Sequence, residues 1–385
     1  MSFVFCRRQW LNMHMSDSPS LWKSGGKAFL SMAVIGAAAV AEEALKRYGS
    51  NPGVFDWGRA ERVGLSSLPN VDEKSGGAGE RKTGQEEGNQ RVWQSIREVM
   101  LDHRSSSRAT PFKEVEELDG TGVVRMNLDI MRRLSNSFES MMGLESPSAW
   151  RGLTRLGGSW YIGKLLGMMG GRILGQYDPV LSFNPDDNSI TPRMMIAVNN
   201  LMARAKGFGL APEVMRELVL AHEMTHAWQF GTHPWLREHI TGLLREIVPV
   251  KTDPSGKPAP QLNIAAKIDA IRQVQAIMAV IEGHGDWVMK KIGEREERTR
   301  QVLPIILRHA AVDQDWWQRL LALLTGMSGK LKQYHQGRDF LEAVEGMGGV
   351  EAITWLWNGP EWMPRMNELN KPEAWYKRVL ALRHD

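Results

Sequence analysis

The 385-residue sequence predicts a mainly α protein of the α+β type, a helical body with one small β element near residues 176–199. Two patterns carry that prediction. Apolar residues three and four apart recur from about residue 124 to the C-terminus, the spacing of one helix face. Two short apolar runs, Tyr177–Phe183 and Met194–Val198, flank the turn-rich stretch NPDDNSITPR, as in a small hairpin or a pair of edge strands. Asp186 and Asp187 are turn residues on this reading. There is no internal repeat and no heptad run long enough for a coiled coil.

Residues 1–51 are an appended N-terminal segment. Within it, 28–41 (AFLSMAVIGAAAVA) is apolar, follows Lys23 and Lys27, and ends in Ala39-Val40-Ala41. Fourteen such residues fall short of the roughly 20 needed to span a bilayer. The first reading of the stretch is a small-residue helix packed on the body, and the second a signal-peptide core with a small-residue cleavage site. Cytoplasmic residence is the expectation, with export or membrane anchoring through 28–41 as the alternative. Residues 52–69 begin the body. Residues 70–90 (NVDEKSGGAGERKTGQEEGNQ) are polar and Gly-rich and predict a linker or disordered insert. The main domain then runs over 91–385. Its helical stretches are Val124–Gly143, Trp150–Leu174, Pro212–Phe230, Trp235–Ile247 and Ile264–Ile292, with shorter ones beyond. Gly157-Gly158 and Gly170-Gly171 predict breaks or close helix contacts in the second, and TDPSGKPAP at 252–260 predicts a loop.

Composition excludes several classes. The charge of +4 comes from Lys and Arg scattered among Glu and Asp, so no nucleic-acid stripe forms and no nucleic-acid partner is expected. Cys6 is the lone cysteine, which rules out an intrachain disulfide and any cysteine-based metal cluster. A transition metal would have to be held by His and carboxylates.

Residues 222–226 read His-Glu-Met-Thr-His within a helical stretch that starts at Pro212, where a missing N–H costs nothing. On a helix His222 and His226 lie one turn apart on one face and can aim their nitrogens at a single ion. Glu223 is offset toward the water that a catalytic metal activates, the place for a general base. With ten histidines, a chance match somewhere in the chain is a matter of roughly a few per cent, so the pentapeptide is only suggestive. Its surroundings are apolar, however, from Leu218 to Ala221 and again at Ala227, Trp228 and Phe230. Two histidines and a glutamate there would be costly without a metal or partner.

A catalytic zinc takes three protein ligands and leaves a position for water. The longer three-histidine pattern fails, because its Gly and His positions fall on Gln229 and Thr232. The third ligand is therefore sought in Ile281-Glu282-Gly283-His284-Gly285-Asp286. Glu282 and Asp286 share a helix face: one carboxylate can bind the metal and the other can accept the N–H of a ligand histidine. Mid-helix glycines at 283 and 285 cost about 1 kcal/mol each and predict a close approach by another element. His284 points away from that face and is assigned a structural or rim position.

With both motifs in hand, the chain resembles the thermolysin-like Glu-zincins. It is more similar still to a bacterial family of zincin-like metalloproteases associated with coenzyme F420 biosynthesis. The resembling blocks are Phe55-Asp56-Trp57 with Ala60, Leu174–Pro179, His222–Phe230 with Pro234–His239, Glu282–Asp286, Lys330–Gly337 and Pro372–Trp375. Together they span about residues 52–380. The resemblance implies one zincin-like helical body, Zn2+ on His222, His226 and Glu282, Glu223 as base, and Asp286 behind a ligand.

The expected activity is hydrolysis of a peptide bond in a peptide or protein substrate. Tyr177 and Tyr334 are the candidate oxyanion donors, against a first reading of each as a core residue with a satisfied hydroxyl. Two other functions remain open: a non-catalytic scaffold with a structural zinc, and an amidase acting on a small metabolite. The tryptophans Trp316, Trp317, Trp355, Trp357, Trp362 and Trp375 read as core of the C-terminal helices rather than as a substrate groove.

Overall fold

A computed structural model of the chain describes residues 55–68, 82–101, 110–142, 149–180, 191–247, 264–295, 297, 299–300, 303 and 335–384. The N-terminal segment 1–51, the turn expected at Asp186 and Asp187, the loop expected over 252–260, Trp316, Trp317 and Tyr334 lie outside the described residues.

The described chain is mainly helical. Ten helices are α1 (Trp57–Ser66), α2 (Lys82–Val99), α3 (Gly120–Met142), α4 (Ala149–Gly170), α5 (Val198–Phe208), α6 (Pro212–Thr232), α7 (Pro234–Ile247), α8 (Ile264–Gly293), α9 (His335–Trp355) and α10 (Pro372–His384). The strands are β1 (Val115–Leu118), β2 (Gly175–Asp178) and β3 (Arg193–Ala197). They form one sheet in the order β1-β3-β2, with β3 parallel to β1 and antiparallel to β2. The small β element stands where the apolar runs put it, except that β1 joins it as a third strand.

The polar stretch 70–90 is helical from Lys82 onward. Val92, Trp93, Ile96, Val99 and Met100 recur at helical spacing and are buried, and they anchor a helix whose first turns carry no such residues. Gln85 and Asn89 in that polar half bond Glu117 and Arg216, so its neighbours hold it by side-chain contacts.

A first core gathers α1, α3 and α4 around Ala60, Val124, Ile162 and Leu166. Helix α4 ends at Gly170, so its predicted extension to Leu174 becomes the approach to β2. A Cβ on Gly163 or Gly167 would lie 2.6–2.7 Å from the Ala60 or Gly64 carbonyl oxygen, so α1 and α4 pack backbone to backbone. The larger core joins α2 with α6–α10 and contains Trp287, Trp355, Trp357 and Trp375, which places those C-terminal tryptophans in the interior. Gly349 takes φ 67° at a kink in α9, a left-handed turn natural to glycine.

Helices α6 and α8 lie against each other in opposite directions: Leu218 is near Gly293, and Gln229 reaches Ile281. No helix among the described residues is long and apolar enough to cross a membrane.

Candidate metal centre

Helix α6 starts with Pro212 after an uncapped Ala211 and is buried from Leu218 to Phe230, with only Glu223 partly open. His222 and His226 stack one turn apart, ring centroids 4.8 Å apart and planes near perpendicular at 87°. Both turn Nε2 toward Glu282 of α8, at 3.4 Å from His222 and 3.7 Å from His226 to the same oxygen, Oε2. One ligand atom from each of the three residues lies within 4.8 Å of the other two.

These distances can be set against a metal's requirement. Tetrahedral ligands at about 2.0–2.1 Å from zinc stand about 3.3–3.4 Å from one another. The two histidine–carboxylate spacings fall at and just above that value, and the donors are two imidazoles and a carboxylate. The residues fit a divalent ion.

Electrostatics point the same way. Burial works against a charged His222, but its bonds to Asp286 and Glu282 outweigh that and hold its pKa well above the ordinary value. Burial pushes Glu282 up, yet the two histidines bring its pKa below the usual carboxylate value, so it stays ionised. Glu223 is raised, chiefly by burial, against the pull of both histidines. A raised carboxylate suits proton transfer near neutrality.

Asp286 Oδ1 lies 3.3 Å from His222 Nδ1, the ring nitrogen turned away from Glu282. Gly285 makes room for that ring, since a Cβ there would sit 2.8–3.0 Å from its atoms. Gly283 faces the other way, and its Cβ would lie 2.3 Å from the backbone of Gly337 in α9. Both glycines thus mark the close approaches expected of them.

The strand β2 runs beside the motif. Tyr177 N–H donates to Glu223 Oε2 at 3.0 Å, and Gly175 allows the approach, because a Cβ would meet Val219 and Glu223 at 2.6–2.8 Å. The Tyr177 hydroxyl is buried and has no hydrogen-bond partner among the described residues, and burial raises its pKa far above the ordinary range. Tyr177, His222, Glu223, His226 and Glu282 all line one cleft of about 230 Å³. Its other walls are largely apolar, with Phe208, Met215, Leu218, Val219, Met278 and Ile281 among them.

His284 bonds Gln229 and Met100 and none of the candidate ligands directly among the described contacts. It is fully buried among Trp228, Trp287 and Trp357, in keeping with the structural position expected from its helix face. What the sequence did not single out is Gln229, which bonds both His226 and His284. Its three-residue spacing from His226 was the available signal.

The sequence profile of the zincin-like metallopeptidases matches residues 55–376. The chain belongs to that family. Membership makes it a metal-dependent hydrolase family member in which His222, His226 and Glu282 form the candidate metal site. A crystallised protein from Chloroflexus aurantiacus, described as "a putative hydrolase with a novel fold", shares the fold of this zincin-like chain. The two are 24% identical, with a TM-score of 0.64, and the match covers 86% of this chain and 99% of the other. No curated protein matches.

Proposed function

We propose that this zincin-like protein is a zinc-dependent peptidase, with His222, His226 and Glu282 as metal ligands and Glu223 as general base. The observation that carries the proposal is the single Glu282 oxygen placed 3.4 and 3.7 Å from two imidazole Nε2 atoms, with Glu223 beside them in the same cleft. Zinc held there supplies a Lewis acid and lowers the pKa of a bound water.

The chain's own residues supply the remainder. The Tyr177 amide fixes one Glu223 oxygen and leaves the other for the cleft, where it takes a proton from the attacking water and delivers it to the departing nitrogen. Asp286 holds the His222 ring from behind. Tyr177 is the proposed oxyanion donor: burial keeps its phenol protonated, and its hydroxyl has no competing partner among the described residues. The apolar walls favour a peptide or protein substrate with an apolar side chain next to the scissile bond.

The test is metal analysis of the purified protein, followed by cleavage of a peptide library by wild type and Glu223→Gln. One zinc per chain, and cleavage that falls by about 10²–10⁴-fold in the variant with zinc retained, is the expected result. Cleavage undiminished in Glu223→Gln, or no metal bound, overturns the assignment.

A further inference from the structure

Behind His226 runs a buried chain of hydrogen bonds that its metal-facing side does not show. His226 Nδ1, the ring nitrogen turned away from Glu282, stands 2.9 Å from Gln229 Oε1. Gln229 Nε2 donates to the carbonyl oxygen of Ile281 at 3.1 Å and lies 2.9 Å from His284 Nδ1. His284 Nε2 in turn lies 3.0 Å from Met100 Sδ. Gln229 and His284 are wholly buried, and Met100 nearly so.

The direction of every bond in this chain is fixed by its ends. A carbonyl oxygen only accepts, so the amide nitrogen of Gln229 faces Ile281. Its second hydrogen goes to His284 Nδ1, which must then accept. A thioether sulfur also only accepts, so the His284 proton sits on Nε2 and is donated to Met100. Both constraints orient the Gln229 amide the same way and leave its oxygen toward His226. That oxygen can only accept, so His226 carries its proton on Nδ1 and presents the Nε2 lone pair toward Glu282.

We propose that Gln229, braced by His284 and Met100, is the positioning residue that sets the tautomer and ring angle of His226 for metal binding. The proposal rests on the metal reading of the site. Gln229 has a second effect, because Ile281 directly precedes Glu282. One amide therefore ties the histidine-bearing helix α6 to α8 at the residue beside the carboxylate ligand.

The two histidines are thus held by unlike partners. His222 is backed by the carboxylate of Asp286 and His226 by a neutral amide. A second carboxylate behind His226 would add another negative charge to a buried site that already holds Glu223, Glu282 and Asp286, which is costly to bury. An amide also cannot change its charge, and its bonds to Ile281 and His284 keep it from flipping.

The test uses the full-length protein and two readouts. Zinc affinity is measured by chelator competition for wild type, Gln229→Leu and Gln229→Glu. Histidine tautomers are read from long-range 15N–1H spectra of metal-free, 15N-histidine-labelled protein above the histidine titration range. Expected are an affinity roughly 10–100-fold weaker in Gln229→Leu and a smaller loss in Gln229→Glu, which keeps an acceptor for His226. The wild-type spectrum should show His226 protonated at Nδ1 and His284 at Nε2, and the Nδ1–H signature of His226 should be lost in Gln229→Leu. Wild-type affinity in Gln229→Leu, or His226 protonated at Nε2 in wild type, overturns the proposal. Should Gln229→Leu fail to fold, the wild-type spectrum alone decides. A protein that shows the expected tautomers but takes up no zinc would sink the metal reading and leave the hydrogen-bond chain standing.

Discussion

The Tyr177 main-chain N–H donates to Glu223 Oε2 over 3.0 Å, which ties β2 to the helix that carries the two histidines. Among the described residues β2 pairs with β3 along one side only, and its other edge faces α6. The approach depends on Gly175, where a Cβ would meet Val219 at 2.6 Å and Glu223 at 2.8 Å. Gly175→Ala must push the strand back from Glu223, the proposed base. A displacement of about 1 Å in a catalytic group can lower the rate by up to about 10²-fold. Steady-state kinetics should show a kcat drop of that order with zinc content unchanged; an unaltered kcat would mean the amide does not position the base.

Asp286 can be separated from the ligands by affinity rather than by stoichiometry. Its carboxylate faces His222 Nδ1 at 3.3 Å and lies on the far side of the ring from Glu282. Asp286→Ala removes the partner that orients the imidazole and raises its basicity. Chelator competition should find zinc bound about 10–100-fold more weakly, still at one ion per chain.

The two glycines of α8 predict opposite phenotypes. At 285 a methyl group would sit 2.8–3.0 Å from the His222 ring, so Gly285→Ala should weaken zinc binding while the melting temperature moves little. At 283 the methyl would press on the Gly337 backbone at 2.3 Å, and backbone cannot rotate aside as a side chain can. Gly283→Ala should destabilise the fold by about 1–3 kcal/mol, the usual cost of overpacking. Thermal melts and metal titrations of the two variants, run side by side, distinguish them.

The candidate metal site was legible because its information is periodic. His222 and His226 are four apart, as are Glu282 and Asp286, and a helix turns each spacing into a shared face without any knowledge of the tertiary structure. The two glycines were legible for a related reason, since poor helix formers in mid-helix need a neighbour to explain them. Strand β1 was not, because Val115-Glu116-Glu117-Leu118 is too short and too charged to stand out, and it becomes a strand by pairing with β3. The first turns of α2 were hidden for the same reason, since Gln85 and Asn89 acquire their partners only across the fold. Gln229 read only as a mismatch to a longer motif, because its meaning depends on Met100 and His284, elements brought together by packing.

Away from the centre, the C-terminal region carries a pH-sensitive clamp. Arg378 bonds both oxygens of Glu368 at 2.8 and 2.9 Å and the carbonyls of Glu361 and Met363 as well, which fastens α10 to the loop before it. Burial alone would raise the Glu368 pKa, but the bonds from Arg378 and the Arg365 amide prevail and bring it below the ordinary 4.5. A carboxylate whose folded pKa is depressed stabilises the fold above its unfolded value and loses that contribution as pH falls through the folded one. Glu368→Gln should therefore cost about 1.5–3 kcal/mol at neutral pH, the range for a hydrogen bond to a charged partner. Thermal melts of wild type and variant should differ at pH 7 and converge as the pH is lowered below 4.5. A gap that stays constant on acidification would show that the charge on Glu368 contributes nothing, and that Arg378 is held by the two carbonyls alone.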